Sequence, residues 1–287
     1  MRRKLLLILL ALALVVGAAL QAQAAEFAVW LDGNNADPTG GGSGILTSLT
    51  NSFGAGSWNL VTTSDLETPG FLNSYKAVVV SRYDSAFGTS LSAAAAANVQ
   101  AFVGAAGTPN QGAVAVFTND AADNFYGSSS GDPYDANLNQ LFVNAAGFAA
   151  ASGHGFIGEF NGAVMAMTSN SAGFASIGLL SGNASSTYSI APEQFTYDVG
   201  PIGSGNAIDA GVTFPFTDSD TSTFLTKVTN ALPGNIVDIY TNPSTNGDPA
   251  VLANSPAIHG VPEPGTVFLA LLGLLGLAVL KRKLRAA

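Results

Sequence analysis

The chain has 287 residues, no cysteine and a formal net charge of −9, which excludes disulfide staples, thiol nucleophiles and thiolate metal sites together. Between residues 25 and 260 the imbalance deepens, with Lys76, Arg82 and Lys227 set against eighteen acids for a formal charge of −15. Such a surface repels nucleic acid and anionic lipid and draws cations.

Arg2-Arg3-Lys4 leads into an apolar stretch from Leu5 to Leu20, then Ala22-Gln23-Ala24. A charged start, a hydrophobic core and an A-x-A site predict a signal peptide over 1–24, removed by signal peptidase on the general secretory route. Phe27 to Leu31 is a continuous apolar run ending in Asp32-Gly33, as expected of a strand buried on both faces. Gly40 to Gly44 reads as a flexible approach to a helix that carries Ile45, Leu46, Leu49 and Phe53 on one face. Trp58 to Val61 and Ala77 to Ser81 predict a second and a third strand, the latter strongly β-branched. Ser90 is the expected N-cap of a helix with Leu91, Ala95, Val99 and Phe102 on one stripe, closed by Gly104 and Gly107.

Ala113 to Phe117 predicts the fourth strand, Leu138, Leu141, Phe142 and Ala145 a helix stopped by Gly147, and Ala163 to Met167 the fifth strand. Beyond residue 185 the pattern loosens. Thr187 to Tyr197 and Ala210 to Phe216 read as strands, Phe224, Leu225, Val228 and Leu232 as a helix ended by Pro233-Gly234, and Ile236 to Tyr240 as a last strand. Alternating strands and helices imply a three-layer α/β domain over 25–240, with a mostly parallel, flavodoxin-like sheet, helices on both faces and a β-rich C-terminal extension. Thr241 to Gly260, rich in Pro, Asn and Ser, reads as a linker, and His259 within it carries no role.

Pro262-Glu263-Pro264 stands directly before an apolar run from Thr266 to Leu280, and four cations lie between Lys281 and Arg285. At ~1.5 Å per residue that run spans about 22 Å, a short transmembrane helix whose basic end stays cytoplasmic. The order of elements over 261–287 resembles the PEP-CTERM sorting signal. The resemblance implies export, transient anchoring by the helix, processing by an exosortase at the motif of Pro262, Glu263 and Pro264, and a final place at the cell surface or outside the cell.

The alternation from residue 26 to 170, with Tyr75 to Val80, a helix ending Phe102 to Gly107, and Gly112 to Phe117, resembles the class I glutamine amidotransferase-like layout. In that family a nucleophilic cysteine follows the strand; here Thr118-Asn119-Asp120 stands there. The amidotransferase chemistry is therefore not carried over. In such sheets ligands sit outside the carboxyl ends of the strands, which gathers Asp32, Asn34, Arg82, Asp84, Asn119 and Asp120 as a candidate pocket, with His154 as a candidate base. Asp32, Asp84 and Asp120 together would suit Ca²⁺ or Mg²⁺, although Asp and Asn after strands also cap helices and make turns. Two functions remain open: a non-catalytic surface or matrix protein in contact with exopolysaccharide and needing no cofactor, or an extracytoplasmic metal-assisted hydrolase.

Overall fold

The computed structural model describes residues 25–32, 42–82, 91–119, 134–160, 180, 185–190, 194–218, 224–229 and 231–254. Among these no helix is long and apolar enough to cross a membrane; the signal peptide and the run from Thr266 to Leu280 lie outside them. Five strands, β1 (Phe27–Asp32), β2 (Trp58–Leu60), β3 (Ala77–Arg82), β4 (Val114–Phe117) and β5 (Gly155–Phe160), pair in parallel in the order β2-β1-β3-β5-β4. Between them run α1 (Gly42–Phe53), α2 (Thr63–Glu67), a 3-10 turn at Phe71–Ser74, α3 (Ala93–Val103) and α4 (Ala136–Ala151).

Because side chains alternate along a strand, each central strand feeds two cores. Phe27, Val29, Val79 and Phe117 pack under α1 and α4 against Ile45, Leu49, Leu141 and Phe142. Ala28, Val78, Val80, Val114 and Val116 pack on the opposite face against Leu66, Leu72, Ala95, Val99 and Val103 of α2, the 3-10 turn and α3. Helices thus cover both faces. Each fully buried Val, Leu, Ile or Phe stabilises by roughly 1.5–3 kcal/mol, so these two layers carry the fold.

The helix ends follow local chemistry. Thr62 and Asp65 form a reciprocal capping box at α2, and the same hydrogen bonds from Thr62 hold the Asp65 carboxyl below its ordinary range. Ser92 caps α3 in place of the expected Ser90, accepting from the Ala95 amide at 3.2 Å, and Gly104 closes it at φ 86°. Asp135 caps α4 by accepting from the amides of Asn137 and Leu138, both at 2.9 Å. The expected stop at Gly147 does not occur. An interior glycine costs about 1 kcal/mol, which the buried Ala145, Ala146, Phe148 and Ala149 outweigh, and α4 runs on to Ala151.

The sheet continues past β4 as β11-β10-β7-β8, all antiparallel. These are β7 (Thr196–Val199), β8 (Phe216–Thr217), β10 (Ile236–Tyr240) and β11 (Pro249–Ala253), while β6 (Ser185–Ile190) and β9 (Phe224–Thr229) form a separate antiparallel pair. The β-rich extension is therefore one half of the main sheet. Four of the sheet's pairings are parallel and four antiparallel, with β5 lying between β3 and β4, so the mostly parallel flavodoxin-like sheet expected is not confirmed.

Further expectations meet a different structure. The helix read from Phe224 is strand β9, its register held by β6 from Ile190↔Phe224 to Ser185↔Thr229; the pairing suits Thr226, Val228 and Thr229 better than a helix does. Strand five is Gly155–Phe160, and Ala163 to Met167 lies outside the described residues. Gly155 is needed there because a side chain would meet the Ala149 carbonyl at 2.2 Å. Thr187 to Tyr197 divides into β6 and β7, and the strand read from Ala210 shrinks to Phe216–Thr217. Most consequentially, the stretch read as a linker holds β11, all five of whose residues are buried between β4 and β10.

Candidate functional site

Parallel pairing sets Asp32 beside Arg82, and Arg82 beside Phe160, at the carboxyl edge of the sheet. Asn119 follows β4 at the same edge. Asn34, Asp84 and Asp120 lie outside the described residues, so the proposed metal corner has one member, Asp32, among them. Among the described residues no three His, Asp or Glu side chains converge as metal ligands. His154 stands at the amino end of β5, the opposite edge, and shares no pocket with Asn119. Its Nε2 lies 2.8 Å from the Asn110 carbonyl oxygen, and its ring meets Phe102 edge-on at 6.4 Å, which fixes the turn before β4.

Asn119 belongs instead to a buried polar cluster at the seam between the two halves of the sheet. The Thr118 hydroxyl donates to the Pro249 carbonyl at 2.8 Å, which leaves the Tyr240 hydroxyl, 3.1 Å away, as donor to Thr118. Tyr197 stacks on Phe216 at 4.8 Å and meets Tyr240 edge-on. Burial pushes the Tyr197 hydroxyl well above its ordinary range, with Tyr240 and Asp218 adding to the effect, and burial does the same to Tyr240. Both phenols stay protonated; Tyr240 donates to Thr118, whereas the Tyr197 hydroxyl meets no hydrogen-bond partner among the described residues. Asn119 is fully buried beside Tyr197, yet neither its Oδ1 nor its Nδ2 reaches hydrogen-bond geometry among the described residues.

A second polar cluster, illegible as spacing, joins Asp209 to Asp238 of β10. Burial raises both carboxyls: Asp209 is pushed up to about 6, and Asp238, burdened also by the charges of Asp209 and Asp198, stands well above the carboxylate range.

On the face carrying α3 a surface groove of about 260 Å³ opens between the 3-10 turn and that helix, lined by Thr68, Leu72, Asn73, Asn98, Ala101 and Phe102 among others. Asn98 is oriented by its Nδ2 donating to the Leu66 carbonyl at 2.9 Å. The lining holds hydroxyl, amide and aromatic groups and no ionisable side chain, so the groove can hold a neutral polar molecule and offers no acid or base. Among the described residues, the predicted site residue that reaches its margin is His154, through Phe102. The groove's two walls lie about thirty residues apart in the chain and α2 was not expected; the available sign was the box of Thr62 and Asp65.

Residues 260–283 match the PEP-CTERM protein-sorting motif. No curated protein and no solved structure matches the chain, and the amidotransferase-like likeness of the middle region has no support from any match. The tail marks an exosortase-sorted protein, exported and held transiently at the membrane by its C-terminal segment.

Proposed function

We propose that the mature domain is a non-catalytic binding component of the extracellular matrix, released at the cell surface after signal peptidase and exosortase have processed the two ends. Its ligand is a neutral exopolysaccharide held weakly in the groove beside α3. The observation that carries this reading is the lining of that groove, where Asn73, Asn98 and Thr68 offer amide and hydroxyl groups suited to sugar hydroxyls and Phe102 offers a ring suited to the apolar face of a pyranose. A formal charge of −15 over residues 25–260 disfavours anionic polymers and leaves neutral ones. Nothing among the described residues favours the metal-assisted hydrolase.

Affinity electrophoresis in gels containing neutral polysaccharide from the native matrix tests the reading. Retardation of the wild-type protein, weakened about tenfold by Phe102→Ala and by Asn73→Ala at unchanged melting temperature, is the expected result. Equal migration of all three proteins with and without polysaccharide refutes it.

A further inference from the structure

Residues 200–213 form a strap from β7 across the sheet toward β8. The Gly200 amide donates to the Val237 carbonyl at 2.7 Å, an approach so close that a side chain at 200 would meet that oxygen at 2.4 Å. On the other side Asn144 of α4 donates to the carbonyls of Ile208 and Ala210, both at 2.7 Å, and Asn137 accepts from the Thr213 amide at 3.2 Å. Ile208 is fully buried as the strap's apolar plug. These contacts seat Asp209 against Asp238.

Asp238 is 0% exposed and Asp209 3%. Asn206 fixes the polarity of the pair. Its Oδ1 accepts from the amides of Ile208 and Asp209 at 2.8 and 3.0 Å, so its Nδ2 must be the group that donates to the Gly203 carbonyl at 2.8 Å and to Asp209 Oδ2 at 2.7 Å. That makes Asp209 the acceptor. Asp209 Oδ1 and both oxygens of Asp238 meet no N–H or O–H donor among the described residues. Two ionised carboxylates there would be buried side by side without a counter-charge, at a cost of several kcal/mol. A proton on one Asp238 oxygen, donated to Asp209 Oδ1, satisfies two of these three oxygens and removes one of the two buried charges.

We infer that Asp209 and Asp238 share one proton that latches the 200–213 strap to β10, and that loss of this proton in alkaline surroundings releases the strap and uncovers the apolar seat of Ile208. Among the described residues the surroundings supply no competing cation. From β7 the pair faces Asp198, whose Oδ1 accepts from the Val199 amide at 2.8 Å; β10 adds Tyr240; α4 and β11 contain no titratable side chain. Two carboxylates and an amide also fall short of the 6–8 oxygens that Ca²⁺ gathers.

The sign follows from burial, which raises both folded pKa values above the unfolded value of about 4. The contribution is complete below the unfolded value and is lost as pH climbs through the folded values, from about 6 for Asp209 upward to Asp238. Within that window each pH unit weakens the closed strap about tenfold per proton retained. The titration belongs to the pair.

Hydrogen exchange of the Ile208, Asp209 and Val212 amides in the full-length chain in detergent, corrected for intrinsic base catalysis, reads the latch between pH 5 and 9. Wild-type protection is expected to fall at least tenfold, and Asp238→Asn, whose amide is a permanent donor to Asp209, is expected to hold within about threefold across the range. Protection independent of pH in the wild type, or an equal fall in Asp238→Asn, overturns the inference. Recovery of wild-type protection at pH 9 by millimolar Ca²⁺ and not by Na⁺ of equal ionic strength also overturns it, since a cation would then be the latch. Should Asp238→Asn not fold, Asp209→Asn is read instead: burial alone still raises Asp238, so the shared proton predicts a fall several-fold smaller than in the wild type, and a fall equal to the wild type refutes it.

Discussion

A fully buried amide without a partner costs about 1–3 kcal/mol, and among the described residues Asn119, beside Thr118 and the two tyrosines, meets none. Replacing it with an apolar residue of similar size removes the cost while keeping the packing. Asn119→Leu is therefore expected to raise stability by about 1 kcal/mol in urea titrations; a loss of similar size would mean that the amide is satisfied by a bound molecule. Asn254 presents the opposite case, because its buried side chain completes the edge of β4. Its Oδ1 accepts from the Val114 amide at 2.7 Å and its Nδ2 donates to the Gly112 carbonyl at 2.8 Å. Asn254→Ala leaves both backbone groups unpaired, and a loss of about 2–3 kcal/mol by the same titration is the expected outcome.

At the level of elements, β1, β3 and β4 were legible because a strand buried on both faces must be apolar at every position, and Phe27 to Leu31, Ala77 to Val80 and Val114 to Phe117 are. β11 satisfies the same rule in Pro249 to Ala253, but its flanks of Pro, Asn and Ser carry the composition of a loop. Its partner β4 lies more than a hundred residues earlier, and no local signal reports so distant a pairing. β9 was misread for a related reason: four apolar residues spaced for a helix say nothing of β6, whose register decides the outcome. Of the pocket read at the carboxyl edge, Asp32, Arg82 and Asn119 stand at that edge along the backbone, and Asn34, Asp84 and Asp120 lie outside the described residues. Joining Asp209 to Asp238 required the strap, since two like charges 29 residues apart in the chain give no reason to meet.

For the whole molecule, charge and address are separable. Seven of the ten Lys and Arg lie in the two end segments, 1–24 and 261–287, so the proposed processing at both ends would convert a chain of −9 into a more acidic domain. Intact-mass measurement on protein from native cells is expected to show a main species beginning at Ala25 and lacking the residues from about Gly265 onward. A main species that retains Lys281 to Ala287 would refute exosortase processing of this chain.

The central position of β11 also sets an order of events. A chain crossing the membrane from its amino end delivers β4 long before the strand that must lie beside it, so both halves of the sheet wait for residue 253. Only residues 255–259 then separate the finished strand region from the matched tail at 260, a reach of at most about 18 Å. The last stitch of the core and the cleavage address therefore leave the export channel almost together.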